Sequence, residues 1–568
     1  MSEERAIPAE CDVLVVGSGA GGLSLAITAR KHGLDVVVVE KAPVFGGTTA
    51  FSGGVLWVPG NPHCRPANEG DTVEAAKTYL KHEAGNFYDE QVVDTYLRRG
   101  PEMLAFFERE TEVKFVASAY PDYHPDAPGG AQAGRSVTAA PYDARRLGKD
   151  LARLRPPLKT ITFIGMMFNS SNADLKHFFN ATRSLTSAAY VARRLMNHLK
   201  DLALYRRGVQ VTSGNALAAR LAKSALDLGI PILTGTPVTA LVRDGERVVG
   251  AEVTHGGKPG TIRARRAVVL ASGGFPHDPA RVAKAYPHLR RGGTHFSPTP
   301  AENTGDGIRL AEGLGAACPL DYPNASAWMP VSRVPQGGGR YGAFPHLVDR
   351  YKPGVIGVVS SGRRFTNESN SYHDVGEAMI AACEGQQETR AWLICDHPTL
   401  RKYGLGHAKP APVPTGIYLR NGYLKRGRTL ADLARAAGID PEGLTATVEA
   451  YNRDAVNGED PAFGRGSTAF NRYLADPAHK PNPAVGPIRK GPFYALEIVM
   501  GDLGTFDGLQ TDLVGRVLAE GAPVPGLYAV GNDRASMMGG AYPGAGITLG
   551  PNMTFGYVTG LHLAGALT

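Results

Sequence analysis

The sequence predicts an α/β protein in which a Rossmann-type dinucleotide-binding domain, discontinuous along the chain, receives an inserted α+β domain. Three observations predict it. A glycine-rich turn links a buried strand to a helix near the amino terminus, and two further glycine-rich segments follow apolar strands much later. The 71 glycines also exceed the roughly 40 expected at a usage of about 7%, so many positions need positive φ or close backbone approach to a ligand. At 568 residues the chain is too long for one ordinary core, and roughly two to four domains are expected.

The first element is "CDVLVVGSGAGGLSLAITARKHGLDVVVVEK": strand, turn, helix, and a second strand ending in an acid. Gly17, Gly19 and Gly22 fit G-x-G-x-x-G, and Glu40 follows Gly22 by 18 residues. Such a turn, with Ser18 and Ala20, brings backbone amides to a pyrophosphate at a helix amino terminus, while Glu40, beside Lys41, can accept hydrogen bonds from a ribose. FAD is favoured over NAD by "VFGGTTAFSGG", whose Gly46, Gly47, Thr48, Thr49, Ser52, Gly53 and Gly54 suit a flat ring system and its phosphates. "RRAVVLASGGF", with Ala271 and Gly273, reads as another strand reaching the cofactor. "GLYAVGNDRASMMGGAYPGAGITLG" ends a strand at Asn532 and Asp533, where the acid suits a ribityl hydroxyl or a helix cap, and continues to Gly546 and Leu549. No histidine lies between Glu40 and Trp57 to tether the ring. Non-covalent FAD is the expectation, and no metal site is foreseen.

The flavin domain is expected over residues 1–325 and 495–568, with a catalytic domain over 326–494. A small apolar ligand suits the cleft between two domains. "GRTLADLARAAGIDPEGLTATVEAYNRDA" reads as two packed helices broken at Gly-Ile-Asp-Pro. The stretch 151–210 fits neither domain. Its Val191, Leu195, Met196, Leu199 and Leu202 recur at helical spacing, and Arg193, Arg194, Lys200, Arg206 and Arg207 outnumber Asp201. Two readings stay open: a helical insertion packed on the flavin domain or another subunit, and a peripheral patch on an anionic membrane.

Bulk properties exclude several classes. With 61 basic against 53 acidic residues and no Lys/Arg run of five, nothing argues for nucleic acid. Five scattered cysteines without a CxxC pair indicate neither a disulfide frame nor a zinc site, and favour a reducing compartment. "MSEERAIPAECDV" lacks the apolar core of a signal peptide. The last 34 residues carry no Asp, Glu, Lys or Arg, yet their glycines and prolines suit a loop and helix buried inside the protein better than a membrane span. The expected location is cytoplasmic, with the inner membrane face as the site of any contact.

"GRRFTNESNSYHDV" puts Tyr372 four residues after Glu368 in what otherwise reads as an active-site stretch. Together with "GDTVEAAKTYL", "YPDYHPDAPGG", "NTGDG", "GPFYALEIVMGDLGT" and "GAYPGAGITLGP", it makes the chain resemble the fumarate reductase and succinate dehydrogenase flavoprotein superfamily, and within it the 3-ketosteroid 1-dehydrogenases. The resemblance implies a Rossmann-type FAD-binding domain with an inserted catalytic domain. It also implies a 3-ketosteroid substrate and a quinone or similar electron acceptor. Fumarate reductases carry a proton-donating arginine where this chain has Tyr372. In the ketosteroid enzymes a tyrosine there is the general base, which identifies Tyr123 as its hydrogen-bonded partner and Tyr542 with the Gly546 amide as the grip on the 3-keto oxygen. The implied reaction removes a proton from C2 and a hydride from C1. A hydrogen bond from Tyr123 is expected to lower the Tyr372 pKa.

The chain departs from the family's "GTKGG" with "GTFDG", so Phe506 and Asp507 replace lysine and glycine, and an altered flavin edge or pocket wall is expected. Three other readings are weighed: a 4,5-desaturase of ketosteroids, a fumarate-type reductase, and a non-catalytic flavin redox sensor. The number of subunits is not legible.

Overall fold

The computed structural model describes residues 7–64, 70–168, 177–178 and 184–567. Part of the expected insertion, and the first residues of the amino-terminal segment, lie outside these.

An eight-stranded sheet forms the flavin domain. Its order is Arg516–Ala519, Ala522–Ala529, Lys258–Leu270, Glu10–Val16, Val36–Glu40 and Ile232–Thr234, with Val238–Asp244 and Arg247–His255 extending it from Lys258–Leu270. The five strands from Ala522–Ala529 to Ile232–Thr234 run parallel. Both faces of the central strands are covered, which is why Val36–Glu40 reads VVVVE with every residue buried. Gly17 ends the first strand at φ 117°, and a Cβ there would overlap the Ala271 carbonyl. Only glycine lets the Glu10–Val16 and Lys258–Leu270 strand ends come so close.

The Ala20–Lys31 helix lies against the Leu549–Leu563 helix, meeting through Gly21 and Gly556. The charge-free carboxyl-terminal helix is thus an internal element, buried along nearly its whole length. Among the described residues no helix is long and apolar enough to cross a membrane.

The second domain is built on a six-stranded antiparallel sheet: Tyr341–Pro345, Ser326–Pro335, Phe493–Thr505, Arg390–Asp396 and Val355–Val358 in order, with Lys425–Gly427 beside Phe493–Thr505. Phe493–Thr505 crosses the boundary expected at residue 495, because its whole length pairs within this sheet. The two helices foreseen around Gly-Ile-Asp-Pro are Leu430–Ala437, ended by Gly438 at φ 73°, and Pro441–Ala455, capped by Asp440 accepting from the Gly443 amide.

Within 151–210 the Leu185–Tyr205 helix forms, capped by Ser184. Its inward side is polar: His198 is buried and its Nε2 lies 2.8 Å from the Ile164 carbonyl. Of the expected apolar stripe, Met196 and Leu199 are 63% and 59% exposed, with Leu185 and Leu204 exposed beside them. Val191, Leu195 and Leu202 are half-buried.

Candidate active site

One cavity of about 350 Å³ runs between the domains. Its dinucleotide end is lined by Gly17, Ser18, Gly19, Ala20, Gly22, Glu40, Lys41, Gly47, Thr48, Thr49, Ser52, Gly53, Gly54, Ala271, Gly273, Asn532 and Leu549. The turn is braced from within. Glu40 accepts from the Ser18 amide at 3.1 Å, the Ser18 hydroxyl at 2.5 Å and the Ala42 amide at 2.9 Å. A carboxylate has about four lone-pair sites, so one remains for a ribose hydroxyl. Thr49 Oγ1 accepts from the Ala20 amide at 3.0 Å, tying the hydroxyl-rich segment to the helix amino terminus. Glycine backbone, a helix amino terminus and an acid at the next strand's end fit FAD.

Two expected cofactor residues stand behind this wall. Asp533 is fully buried, and its carboxylate accepts from the Ser272 amide and hydroxyl and from the Gly274 amide, at 2.5 to 3.0 Å. It fastens the loop after Lys258–Leu270 to the end of Ala522–Ala529. A strand-end acid looks the same in sequence whether it serves a ligand or a neighbouring loop. Gly46 lies beneath the cradle between Ala50 and Ala218, its amide donating to Ser18 Oγ at 3.1 Å.

The other end gathers the three phenols from separate segments. Ring centroids lie 5.8 Å apart for Tyr123 and Tyr372, 5.3 Å for Tyr372 and Tyr542, and 5.6 Å for the stacked Tyr123 and Tyr542. The Tyr372 ring meets the other two edge-on. Tyr123 and Tyr542 stand on one backbone ladder, the Tyr123 amide donating to Pro543 O at 2.9 Å. Beneath it, Asp122 accepts from Trp57 Nε1 and Arg135 Nη1, both at 2.7 Å. Burial pushes Asp122 up to about 6, with Arg135 pulling the other way. Gly546 turns at φ 95° where a Cβ would overlap the Val55 carbonyl. Among the described residues its amide donates to no protein acceptor, which leaves it for a ligand oxygen.

Tyr372 opens the Tyr372–Ala382 helix, capped by Ser371 Oγ accepting from the Asp374 amide at 3.1 Å. Under it, buried Glu368 accepts from Arg364 Nε and Nη2 at 2.8 and 2.7 Å, from Arg465 Nη1 at 3.1 Å and from the Gly357 amide at 2.9 Å. Burial opposes its charge, but the two guanidinium groups outweigh that and hold it below the usual carboxylate range. Glu368 is therefore scaffold under the site.

The expected fall in the Tyr372 pKa is overturned. Burial pushes this phenol well above 10, and the neighbouring phenols push the same way. Burial raises Tyr123 and Tyr542 likewise.

The sequence did not reveal the apolar wall of Tyr120, Leu347, Tyr351, Phe470, Leu474 and Leu503, nor the contribution of Leu158, Ile161 and Phe168 from the insertion. Single apolar residues on many loops leave no periodic signal. Phe506 packs 6.0 Å behind the Tyr542 ring, and Asp507, which burial pushes up to about 7, lies outside the cavity lining.

A nucleotide cradle opening onto phenols and a free amide, with no metal-binding cluster among the described residues, defines a flavoprotein oxidoreductase. The FAD binding domain family model matches residues 12–549, so FAD is the cofactor, held without a covalent tether. The chain is 38% identical over 568 residues to 3-oxosteroid 1-dehydrogenase of Mycobacterium tuberculosis strain H37Rv, covering 98% of both chains. It is 43% identical over 556 residues to 4-oxocyclohex-2-ene-1-carboxylate 5-dehydrogenase of Sinomonas cyclohexanicum, covering 98% of this chain and 94% of that one. The crystal structure of 3-ketosteroid Δ1-dehydrogenase from Sterolibacterium denitrificans in complex with 1,4-androstadiene-3,17-dione superposes with TM-score 0.88 at 35% identity, over 98% of this chain and all of that one. The chain belongs to the 3-oxosteroid 1-dehydrogenase family, as an FAD-dependent oxidoreductase of that type.

Proposed function

We propose that this enzyme introduces a 1,2 double bond into ring A of a 3-ketosteroid. The observation that carries the reading is the convergence of Tyr372, Tyr123, Tyr542 and the unpartnered Gly546 amide in one cavity wall. Tyr542 OH and Gly546 N–H grip the ketone oxygen and stabilise enolate character as the C2 proton leaves, an interaction of the kind whose loss costs about 10² to 10³ in rate. Tyr372 takes that proton. FAD supplies, when bound, the acceptor for the C1 hydride. The apolar wall from Tyr120 to Leu503 holds the rings and excludes water. The reduced enzyme returns its electrons to a quinone or similar acceptor.

The relative that acts on a small ring carboxylate suggests a different substrate, and the lining argues against it. Among the described lining residues the charged groups are Glu40, Lys41, Arg155, Glu302 and Asp306. Both cations are already paired, Arg155 with Glu302 at 3.1 Å and Lys41 with Asp306 at 2.7 Å. A carboxylate over the phenols would lack a counter-ion, which is costly in an apolar site. Tyr372, a neutral phenol where an arginine would meet a dicarboxylate, argues equally against a fumarate-type reductase.

The test is product analysis after incubating purified holoenzyme with 4-androstene-3,17-dione and an artificial acceptor. The expected product is the 1,4-diene. Faster turnover of 4-oxocyclohex-2-ene-1-carboxylate, a 4,5-unsaturated product from a saturated ketosteroid, or a flavin that no ketosteroid bleaches would each replace this reading.

We also propose that the Leu185–Tyr205 helix rests on an anionic lipid surface at the inner face of the cell membrane. Its exposed Leu185, Met196, Leu199 and Leu204 sit among basic Arg193, Lys200 and Arg206, and Leu158, Ile161, Met167 and Phe168 of the same segment line the cavity. Flotation with anionic but not neutral vesicles is expected, and its loss in a Met196→Ser/Leu199→Ser variant. A helix that binds neither vesicle and instead mediates a dimer refutes the lipid assignment.

A further inference from the structure

Tyr123 and Tyr542 are fixed to each other by shared backbone, but Tyr372 arrives on the Tyr372–Ala382 helix of the other domain. Its distance from Tyr123 depends on whatever ties that helix to the Tyr123 loop. The residue after Tyr123 makes the tie. His124 Nδ1 lies 2.7 Å from Glu83 Oε2 and its Nε2 lies 3.2 Å from Asp374 Oδ2. Glu83 belongs to the Val73–Ala84 helix, and Asp374 sits two residues beyond Tyr372 in the first turn of its helix. The His124 amide also donates to Tyr79 OH at 3.2 Å, and that hydroxyl donates to Pro543 O at 2.6 Å, beside Tyr542.

We propose that His124, as an imidazolium donating from both ring nitrogens, is a positioning residue that clamps the Tyr123 loop onto the Tyr372 helix and so sets the distance between the two phenols. The proposal rests on the assignment of Tyr372 and Tyr123 above. Two carboxylates facing the two nitrogens of one ring leave no acceptor role for either nitrogen, so the doubly protonated ring satisfies the geometry. The protonation balance agrees: burial would lower His124, but Asp374 and Glu83 outweigh it and raise it to about 10. The same contact holds Asp374 below the usual carboxylate range against its own burial. On the opposite side His373 Nε2 lies 3.2 Å from Gly540 O. The helix start is thus anchored on both flanks of the phenol pair.

The clamp predicts a kinetic pattern that a merely stabilising ion pair does not produce. In His124→Ala, flavin content and KM should stay within about twofold while the rate of flavin reduction by ketosteroid falls about tenfold, since small misplacements of reacting groups are costly. His124→Arg, which keeps a charged donor for both carboxylates, should recover to within about threefold of wild type. His124→Ala added to Tyr123→Phe should cost less than about twofold more, because the clamp acts through Tyr123. Asp374→Asn, which cuts the tie from the helix side, should reproduce the His124→Ala loss, and it decides the matter if His124→Ala does not accumulate as folded holoenzyme. Overturning results are a His124→Ala or Asp374→Asn enzyme with more than half the wild-type rate, an arginine variant no faster than alanine, or losses that simply add. A wild-type rate in Tyr123→Phe alone instead removes Tyr123 from the reaction.

Discussion

Tyr372 carries its proton at neutral pH because it is buried among other phenols. Its place at a helix amino terminus favours the phenolate by only about 0.3 to 1 kcal/mol, too little to reverse the burial. The active basic form is therefore a small fraction that grows about tenfold per pH unit below the group's pKa. The rate of flavin reduction should climb with a slope near one between pH 7 and 10, without a plateau. A flat profile would show that the proton passes through the phenol pair without net ionisation. Tyr372→Phe should keep FAD bound and lose about 10² or more in rate, and a variant retaining a tenth of wild-type activity removes Tyr372 as base. The buried tyrosines also set an upper pH limit. Unfolded tyrosines ionise near 10 while these resist, so the native chain holds more protons above that pH, and stability falls as pH rises further.

At the scale of elements, two devices hold the site. Gly546 lets the segment after Tyr542 pass against Val55 with its amide free. Gly546→Ala should destabilise the protein by more than about 1 kcal/mol and depress turnover further, read by thermal denaturation and steady-state kinetics. Beneath Tyr372, Arg465 is fully buried, donating to Glu368 and to the backbone carbonyls of Arg350 and Lys352. Arg465→Ala would leave Glu368 with one guanidinium fewer and should cost about 3 to 5 kcal/mol, measured by chemical unfolding. How much of this was legible follows from spacing. The nucleotide turn was readable because Gly17, Gly19, Gly22 and Glu40 lie within one strand–helix–strand unit, and the phenols because each sits in a distinctive short motif. The clamp was not: Glu83, His124 and Asp374 are 41 and 250 residues apart, and only the fold brings them together. Nor was the anchoring of the 272–274 loop by Asp533, whose partners Ser272 and Gly274 are equally remote.

At the scale of the molecule, the nucleotide cradle and the three phenols line one continuous chamber. An electron acceptor that enters by this chamber must take turns with the steroid product, each waiting for the other's departure. Initial velocities at several fixed acceptor concentrations should give parallel double-reciprocal lines, with either partner in excess blocking the other competitively. Intersecting lines would reveal a second doorway to the flavin.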